Sequence, residues 1–154
     1  ATFGTGYEHT GFFNRKYIPR KRSSEAAGDL NLTNPGNYRA IRFADVLLMA
    51  AEAYNTGGID DTKAQEYLNR VRRRAYGVDD ASVDITNSGA NLTADIARER
   101  RLELMGEGHR FFDLVRTGDG SRIPGFQEGK HNVFPIPIEE IQFADGNWDQ
   151  NPNY

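Results

Sequence analysis

The sequence predicts a mainly α-helical protein with long irregular segments on either side of a helical region. Apolar residues recur at steps of three and four residues between Ile41 and Ala75, which is the spacing of an amphipathic helix face. The glycine pair Gly57–Gly58 and the aspartates that follow it interrupt this pattern at the positions where one helix would end and the next begin. From Ala1 to Asn37, scattered glycines and Pro35 favour loops instead.

Two consecutive helices are predicted to form an antiparallel hairpin. The first runs from about Arg39 to Asn55 and stops at Gly57–Gly58, and Asp60 or Asp61 caps the second, which stops at Gly77. The expected apolar faces are Ile41, Ala44, Leu48, Ala51 and Tyr54 in the first helix and Ala64, Tyr67, Leu68, Val71 and Ala75 in the second.

This hairpin resembles a tetratricopeptide repeat in its alternation of small and large residues, with one extra residue in the turn. A generic helical hairpin fits the same residues equally well. Repeats of this kind are stabilised by their neighbours, and the chain contains no second copy.

A third helix is predicted to be capped by Thr93, to begin at Ala94 and to run to Met105. Its charges alternate in sign so densely that some are expected to be buried in pairs. Glu99 and Glu103 lie one turn apart and can meet only if an arginine from elsewhere lies between them.

Gly106 and Gly108 are expected to end this helix, and a short helix follows from Arg110 to Arg116 with an Asp113–Arg116 ion pair. Prolines favour an extended segment from Val133 to Pro137, and Ile138 to Ile141 is expected to form one helical turn.

The expected organisation is a loop and short-strand segment over residues 1–38, followed by a single helical domain over residues 39–154. The only candidate strand runs from Gly11 to Pro19. Because Ala1–Thr10 lacks the features of a secretory signal and the chain has no initiator Met, it is expected to begin inside a longer gene product or after processing.

Composition excludes several classes of function. A net charge of −3 argues against a general nucleic-acid binder, although Arg15, Lys16, Arg20, Lys21 and Arg22 form a basic cluster, read as a solvated loop. The absence of Cys removes disulfides, thiolate metal sites and cysteine nucleophiles. No window is apolar for the roughly 18 residues that a membrane-spanning helix requires.

No catalytic residue, metal ligand or cofactor is predicted. His9, His109 and His131 are too far apart in sequence to suggest a metal site, and Asp145–Asp149 begins like a calcium loop but is read as a turn. Glu99, Glu103 and Glu107 have the spacing of one helical face, which fits a salt-bridged helix better than the acid pair of a glycosidase.

Aromatic side chains are the remaining candidates for ligand contact, because flat rings stack against sugar rings, although such side chains are more often part of a core. The weak candidates are Tyr7, Phe12, Tyr17 and Trp148.

Four segments, in this order, resemble the SusD/RagB proteins of Bacteroidota. The segment at 41–53, IRFADVLLMAAEA, and the segment at 68–75, LNRVRRRA, are the first two. The third is ERRLEL at 99–104 followed by EGHRFFDLVR at 107–116, and the fourth comprises FPIP at 134–137, Glu140–Ile141 and QNPNY at 150–154. Ala50, Gly106 and Asn153 depart from the family pattern, and Asn153 tolerates the left-handed conformation of the usual Gly.

The resemblance implies a SusD-like superhelix of helical hairpins, of which this chain would be the carboxy-terminal part, with the upstream portion of the same protein as its neighbour. It also implies a non-catalytic, glycan-capturing lipoprotein at the outer membrane surface, anchored through an upstream Cys and paired with a SusC-like TonB-dependent channel. A helical-repeat adaptor that binds protein and no glycan is the alternative.

In this family context, Arg100 or Arg101, Glu103, Arg110 and Asp113 are predicted to form a partly buried ion network that joins the third helix to the short helix after Gly108. Breaking such a network typically costs about 3 to 5 kcal/mol, because one buried charge is left without its partner.

Overall fold

The computed structural model describes residues 14–17 and 38–154, and the regular structure in these ranges is helical, without a strand. The helices are α1 (Phe43–Thr56), α2 (Asp61–Tyr76), α3 (Gly89–Glu103), α4 (Arg110–Arg116) and α5 (Ile138–Phe143). Short 3-10 helices occupy Ala81–Val83 and Gly120–Arg122. The mainly α prediction is confirmed.

The chain divides into two compact units, Ala1–Gly106 and Glu107–Tyr154. The first is called the three-helix unit and the second the carboxy-terminal unit.

The helical hairpin of the three-helix unit is confirmed with a shifted start. Helix α1 begins at Phe43 and not near Arg39, because Arg42 precedes it in an extended conformation (φ −120°, ψ 154°). Ile41 therefore lies outside the helix and is 71% exposed, contrary to its predicted place on the apolar face. Asp60 caps α2 by accepting a hydrogen bond from Lys63 N at 3.0 Å, and Gly77 ends it at φ +71°.

The core of this unit lies where α3 packs against both helices of the hairpin. Its side chains are Leu47, Leu48, Ala51, Ala64, Leu68, Val71, Leu92 and Ile96. At the edge of this core, the rings of Tyr54 and Tyr67 pack with centroids 5.8 Å apart. Ala75, predicted on the same face of α2, is exposed.

Helix α3 begins at Gly89, so the prediction that Thr93 caps it is wrong. The Asp61 carboxylate, from α2, accepts a hydrogen bond from Gly89 N at 2.6 Å and satisfies one of the first amides of α3. Thr93 lies inside the helix, where its Oγ1 donates to Asn55 Oδ1 at 2.6 Å. The helix ends at Glu103 and not at Met105.

The predicted interruption after α3 is confirmed, since Gly106 and Gly108 adopt φ values of +78° and +83°, which exclude a continuous right-handed helix. In the carboxy-terminal unit, α4 has the predicted bounds, and α5 extends the predicted turn to Phe143.

Side chains of the final segment hold the predicted extended stretch. Gln150 Oε1 accepts from Ile136 N at 2.7 Å, and Gln150 Nε2 donates to Ile136 O at 2.8 Å. Asn153 has φ +68°, the left-handed conformation that Asn tolerates, and its Nδ2 donates to Gly129 O at 2.9 Å.

The short strand predicted between Gly11 and Pro19 lies mostly outside the described residues. Its described part, Asn14–Tyr17, forms a turn in which Asn14 Oδ1 accepts from Lys16 N at 3.1 Å.

Candidate functional site

Three buried charges of α3 pair with residues of the hairpin, as the dense charge alternation predicts. Glu99 Oε2 lies 2.7 Å from Arg72 Nη1, and Arg100 Nη1 lies 2.9 Å from Asp45 Oδ1. Glu103 Oε1 accepts from Arg42 Nη1 at 2.8 Å and forms an ion pair with Arg74 Nη2 at 2.6 Å. Each glutamate thus has its own arginine from another part of the chain.

Glu103 also fastens the end of α3 through its backbone. Arg42 Nη2 donates to Glu103 O at 3.1 Å, and Lys16 Nζ donates to the same oxygen. Cations at the carboxyl end of a helix satisfy its last carbonyls and interact favourably with the helix dipole. This corner of the unit therefore joins the turn at Lys16, the start of α1 and the end of α3.

These contacts decide between the two interpretations of the glutamate spacing. Glu99 and Glu103 are engaged by guanidinium groups, which is the arrangement of a salt-bridged helix. Glu107 is buried but follows the end of α3, so it does not share a helical face with the other two.

The remaining members of the predicted ion network occupy different surroundings. Arg101 is exposed on α3, Arg110 is half-buried at the start of α4, and Asp113 pairs with Arg116 at 2.8 Å, as predicted. An ionic link between the two helices stays a prediction.

The aromatic candidates are partly described. Tyr17 stacks on Tyr38 with centroids 6.4 Å apart and planes 11° apart, and Trp148 is 54% exposed. Tyr7 and Phe12 lie outside the described residues. Tyr17 belongs to the three-helix unit and Trp148 to the carboxy-terminal unit.

A cavity of about 280 Å³ in the carboxy-terminal unit gathers aromatic side chains that the sequence did not single out. Five rings line it, together with Ile123, Pro124, Gly125 and Val133, and we call it the aromatic cavity. The rings are those of Phe111, Phe126, His131, Phe134 and Tyr154. Phe111 and Phe134 lie with centroids 5.9 Å apart, and Phe126 and His131 with centroids 5.7 Å apart.

A wider, polar groove of about 800 Å³ follows α2 and the segment from Val78 to Thr86. Several of its polar side chains already bind the protein itself. Asn69 exchanges two hydrogen bonds with Ile85 backbone atoms at 2.8 and 2.9 Å, and Arg73 binds Asp84 through Nε and Nη2. The Arg73 guanidinium lowers the pKa of Asp84, and the Asp84 carboxylate in turn raises the pKa of Arg73.

The described histidines have structural surroundings. His131 Nδ1 accepts a hydrogen bond from Gln127 N at 2.9 Å, and half-buried His109 precedes α4. Within residues 14–17 and 38–154, no three His, Asp or Glu side chains gather as a metal site would require. The calcium-like sequence begins in a turn, as predicted, with Asp145 at φ +50°.

Sequence reasoning identified the charged residues Glu99, Arg100 and Glu103 of α3 but not their partners, which are Arg72 for Glu99, Asp45 for Arg100, and Arg42 and Arg74 for Glu103. A signal was present in the run Arg72–Arg74 on α2, which offers three guanidinium groups at consecutive positions. No local pattern indicated which of these arginines turns inward. Among the described helices, none is both long and apolar enough to cross a bilayer.

The sequence model of the SusD family matches residues 1–122. SusD-like protein P2 of Formosa agariphila is 30% identical over 156 residues, which covers 92% of this chain and 31% of that protein. Among solved structures, a SusD homolog from Bacteroides thetaiotaomicron superposes with a TM-score of 0.66 at 35% identity, over 77% of this chain and 26% of that one.

Surface glycan-binding protein A from the same organism superposes with a TM-score of 0.58 at 35% identity, over 76% of this chain and 25% of that one. The chain thus spans about a third of the length of its relative from Formosa agariphila and about a quarter of these two structures. With the family model matching more than half of its residues and the helical fold shared, the chain belongs to the SusD family.

Proposed function

We propose that the protein containing this chain captures oligosaccharides or polysaccharides at the cell surface for import through a SusC-like TonB-dependent channel. The observation that carries this proposal is the likeness, in sequence and fold, to Surface glycan-binding protein A. Membership of the SusD family supports the same role.

The charge arrangement supports capture without hydrolysis. Glycoside hydrolysis requires two carboxyl groups on either side of the scissile bond, one of them able to donate a proton. The buried glutamates of α3 instead form ion pairs with Arg72, Arg42 and Arg74, so they serve the packing of the three-helix unit.

The relatives' greater length supports an upstream portion of the same protein, which would carry the lipidated Cys and further helical hairpins. The exposed side chains of Phe43, Val46 and Met49 on α1 are consistent with a neighbouring hairpin, since a lone repeat leaves one face uncovered. The protein would then be anchored at the outer membrane surface by the lipid.

The proposal is tested by titrating the intact protein with a panel of purified polysaccharides in a calorimeter and by assaying the same mixtures for released reducing sugar. Binding to at least one glycan without release of sugar is expected. Binding to none of the panel, together with retention of a soluble protein partner by the intact protein, would favour the helical-repeat adaptor and overturn glycan capture.

The channel and the anchor have separate tests. Affinity purification from detergent-solubilised outer membranes should recover a TonB-dependent channel with the intact protein, and cells grown with labelled fatty acid should label it. Purification of the protein without a channel would contradict the channel partnership, and an unlabelled protein would contradict the lipid anchor.

A further inference from the structure

The aromatic cavity has the lining expected of a small sugar site. Pockets for drug-sized ligands usually measure roughly 300–1,000 Å³, so a cavity of about 280 Å³ suits a ligand near or below the lower limit. Phe134 is 63% exposed and Tyr154 is 42% exposed, so parts of its wall are open to an incoming molecule.

One residue that lines the cavity, His131, carries polar ring atoms. His131 Nδ1 accepts the hydrogen bond from Gln127 N, so the neutral imidazole holds its proton on Nε2. Among the described residues, Nε2 has no hydrogen-bond acceptor. The cavity therefore combines apolar ring faces with an N–H donor that can meet a hydroxyl oxygen.

The wall is held in place by its own backbone. The ring of Phe126 packs against Gly120 so closely that a Cβ at residue 120 would lie 2.5 Å from the ring. Tyr154 Oη donates to Val133 O at 2.9 Å, and Lys130 Nζ lies 4.9 Å from the centroid of the Tyr154 ring. Rings fixed in this way lose little conformational entropy when a ligand binds.

We propose that the aromatic cavity is a subsite for a single pyranose residue of the captured glycan, an inference that rests on the proposed function. The C–H face of the sugar packs against Phe134 and Phe126, and His131 Nε2 donates to one of its hydroxyl groups. Apolar rings with one placed polar group give a site that selects a carbohydrate over a purely apolar molecule, since each hydroxyl taken from water needs a partner.

The test compares three full-length variants with the wild-type protein. Phe134→Ala removes an exposed ring of the cavity, and Phe143→Ala removes an 84% exposed ring of the same unit that does not line it. His131→Asn keeps an acceptor near the position of Nδ1, which preserves the loop, but has no atom at Nε2. Thermal unfolding of each variant confirms that it folds.

Affinity is measured by calorimetry with a glycan that the wild type binds. Phe134→Ala is expected to weaken glycan binding roughly tenfold, because one ring contact is lost, and His131→Asn is expected to weaken it by a similar factor. Phe143→Ala is expected to leave the affinity unchanged. Methyl glycosides of glucose, galactose, mannose and xylose, titrated into labelled wild-type protein, should shift the side-chain NMR signals of His131 and Phe126.

The outcomes separate the two proposals. If Phe134→Ala and His131→Asn bind the glycan as strongly as Phe143→Ala does, and the methyl glycosides do not shift the His131 signals, the subsite is overturned. Glycan capture then still stands. A wild-type protein that binds no glycan and shows no shift with any methyl glycoside would overturn both. If apolar alcohols shift the His131 NMR signals and no sugar does, the site is a general apolar cavity, and the subsite is also overturned.

Discussion

Asp45 and Arg100 form an ion pair inside the three-helix unit, with Nη1 and Oδ1 2.9 Å apart and side chains only 7% and 6% exposed. The pair joins the first turn of α1 to the last turn of α3. Moving a charge from water into the interior of a protein costs several kcal/mol unless a partner compensates it, so each member makes the burial of the other possible.

We expect Asp45→Ala to destabilise the protein by about 3 to 5 kcal/mol, because the buried guanidinium loses the carboxylate that faces it. Denaturant unfolding followed by circular dichroism measures this difference. Glu66→Ala is the matched control, since it breaks an exposed pair with Lys63 and should cost at most about 1 kcal/mol. Equal losses in the two variants would show that Asp45 contributes no more than a surface charge.

Two neighbouring residues of α1 test the position of the core. Leu48 is fully buried between the three helices, whereas Met49 is 45% exposed. Leu48→Ala should therefore lower the free energy of unfolding by about 2 to 5 kcal/mol through lost burial and a residual cavity. Met49→Ala should change it far less, and the reverse order would place the apolar face of α1 on its other side.

The extent to which this fold could be predicted depends on whether its determinants are local. The helical hairpin itself, the stop at Gly77 and the break at Gly106 follow from neighbouring residues, and each was predicted correctly, although Ile41 and Ala75 are exposed and not on the apolar faces. The start of α3 was not predicted correctly, because the hydrogen-bond acceptor for Gly89 N is the carboxylate of Asp61, which lies 28 residues earlier. The start of α1 was also missed, and Arg42 at that start is held by Glu103, 61 residues later.

The same distinction explains what was missed of the candidate site. Dense charge alternation predicted that α3 buries ion pairs, but the identity of the partners depends on how the helices pack. The aromatic cavity assembles rings from separate segments around Phe111, Phe126 and Phe134 and from Tyr154, so no single window of sequence displays it. Trp148 was selected for its chemistry alone.

The distant carboxylate at the start of α3 gives a third prediction. Asp61→Ala removes the acceptor for Gly89 N and one of the two acceptors for Asn55 Nδ2, so the first turn of α3 should fray. Hydrogen exchange of the amides at residues 89–92 should quicken, while those in the middle of α2 stay protected. Asp79→Ala, which changes an exposed residue in the loop after α2, is the control. The same exchange rates in both variants would contradict the role assigned to Asp61.

Because several carboxylates accept hydrogen bonds from the protein's own N–H groups, the fold is expected to lose stability in acid. A hydrogen bond from Asn55 and a second from the Gly89 backbone lower the pKa of Asp61, and the Arg73 guanidinium lowers that of Asp84, both below the ordinary value of 3.8. A lowered pKa in the folded state means that the unfolded chain takes up protons first as the pH falls. The stabilisation is therefore complete above the ordinary pKa and disappears as the pH falls through the folded-state pKa.

We expect the melting temperature to fall as the pH is lowered from about 5 to 2, in the range where carboxyl groups titrate. The Asp84→Asn variant should be less stable than the wild type at pH 5 and should approach it near pH 2, because the ion pair with Arg73 is then absent from both. Thermal unfolding at several pH values measures the two curves. If they stay parallel down to pH 2, the Asp84 carboxylate does not contribute to the acid sensitivity of the fold.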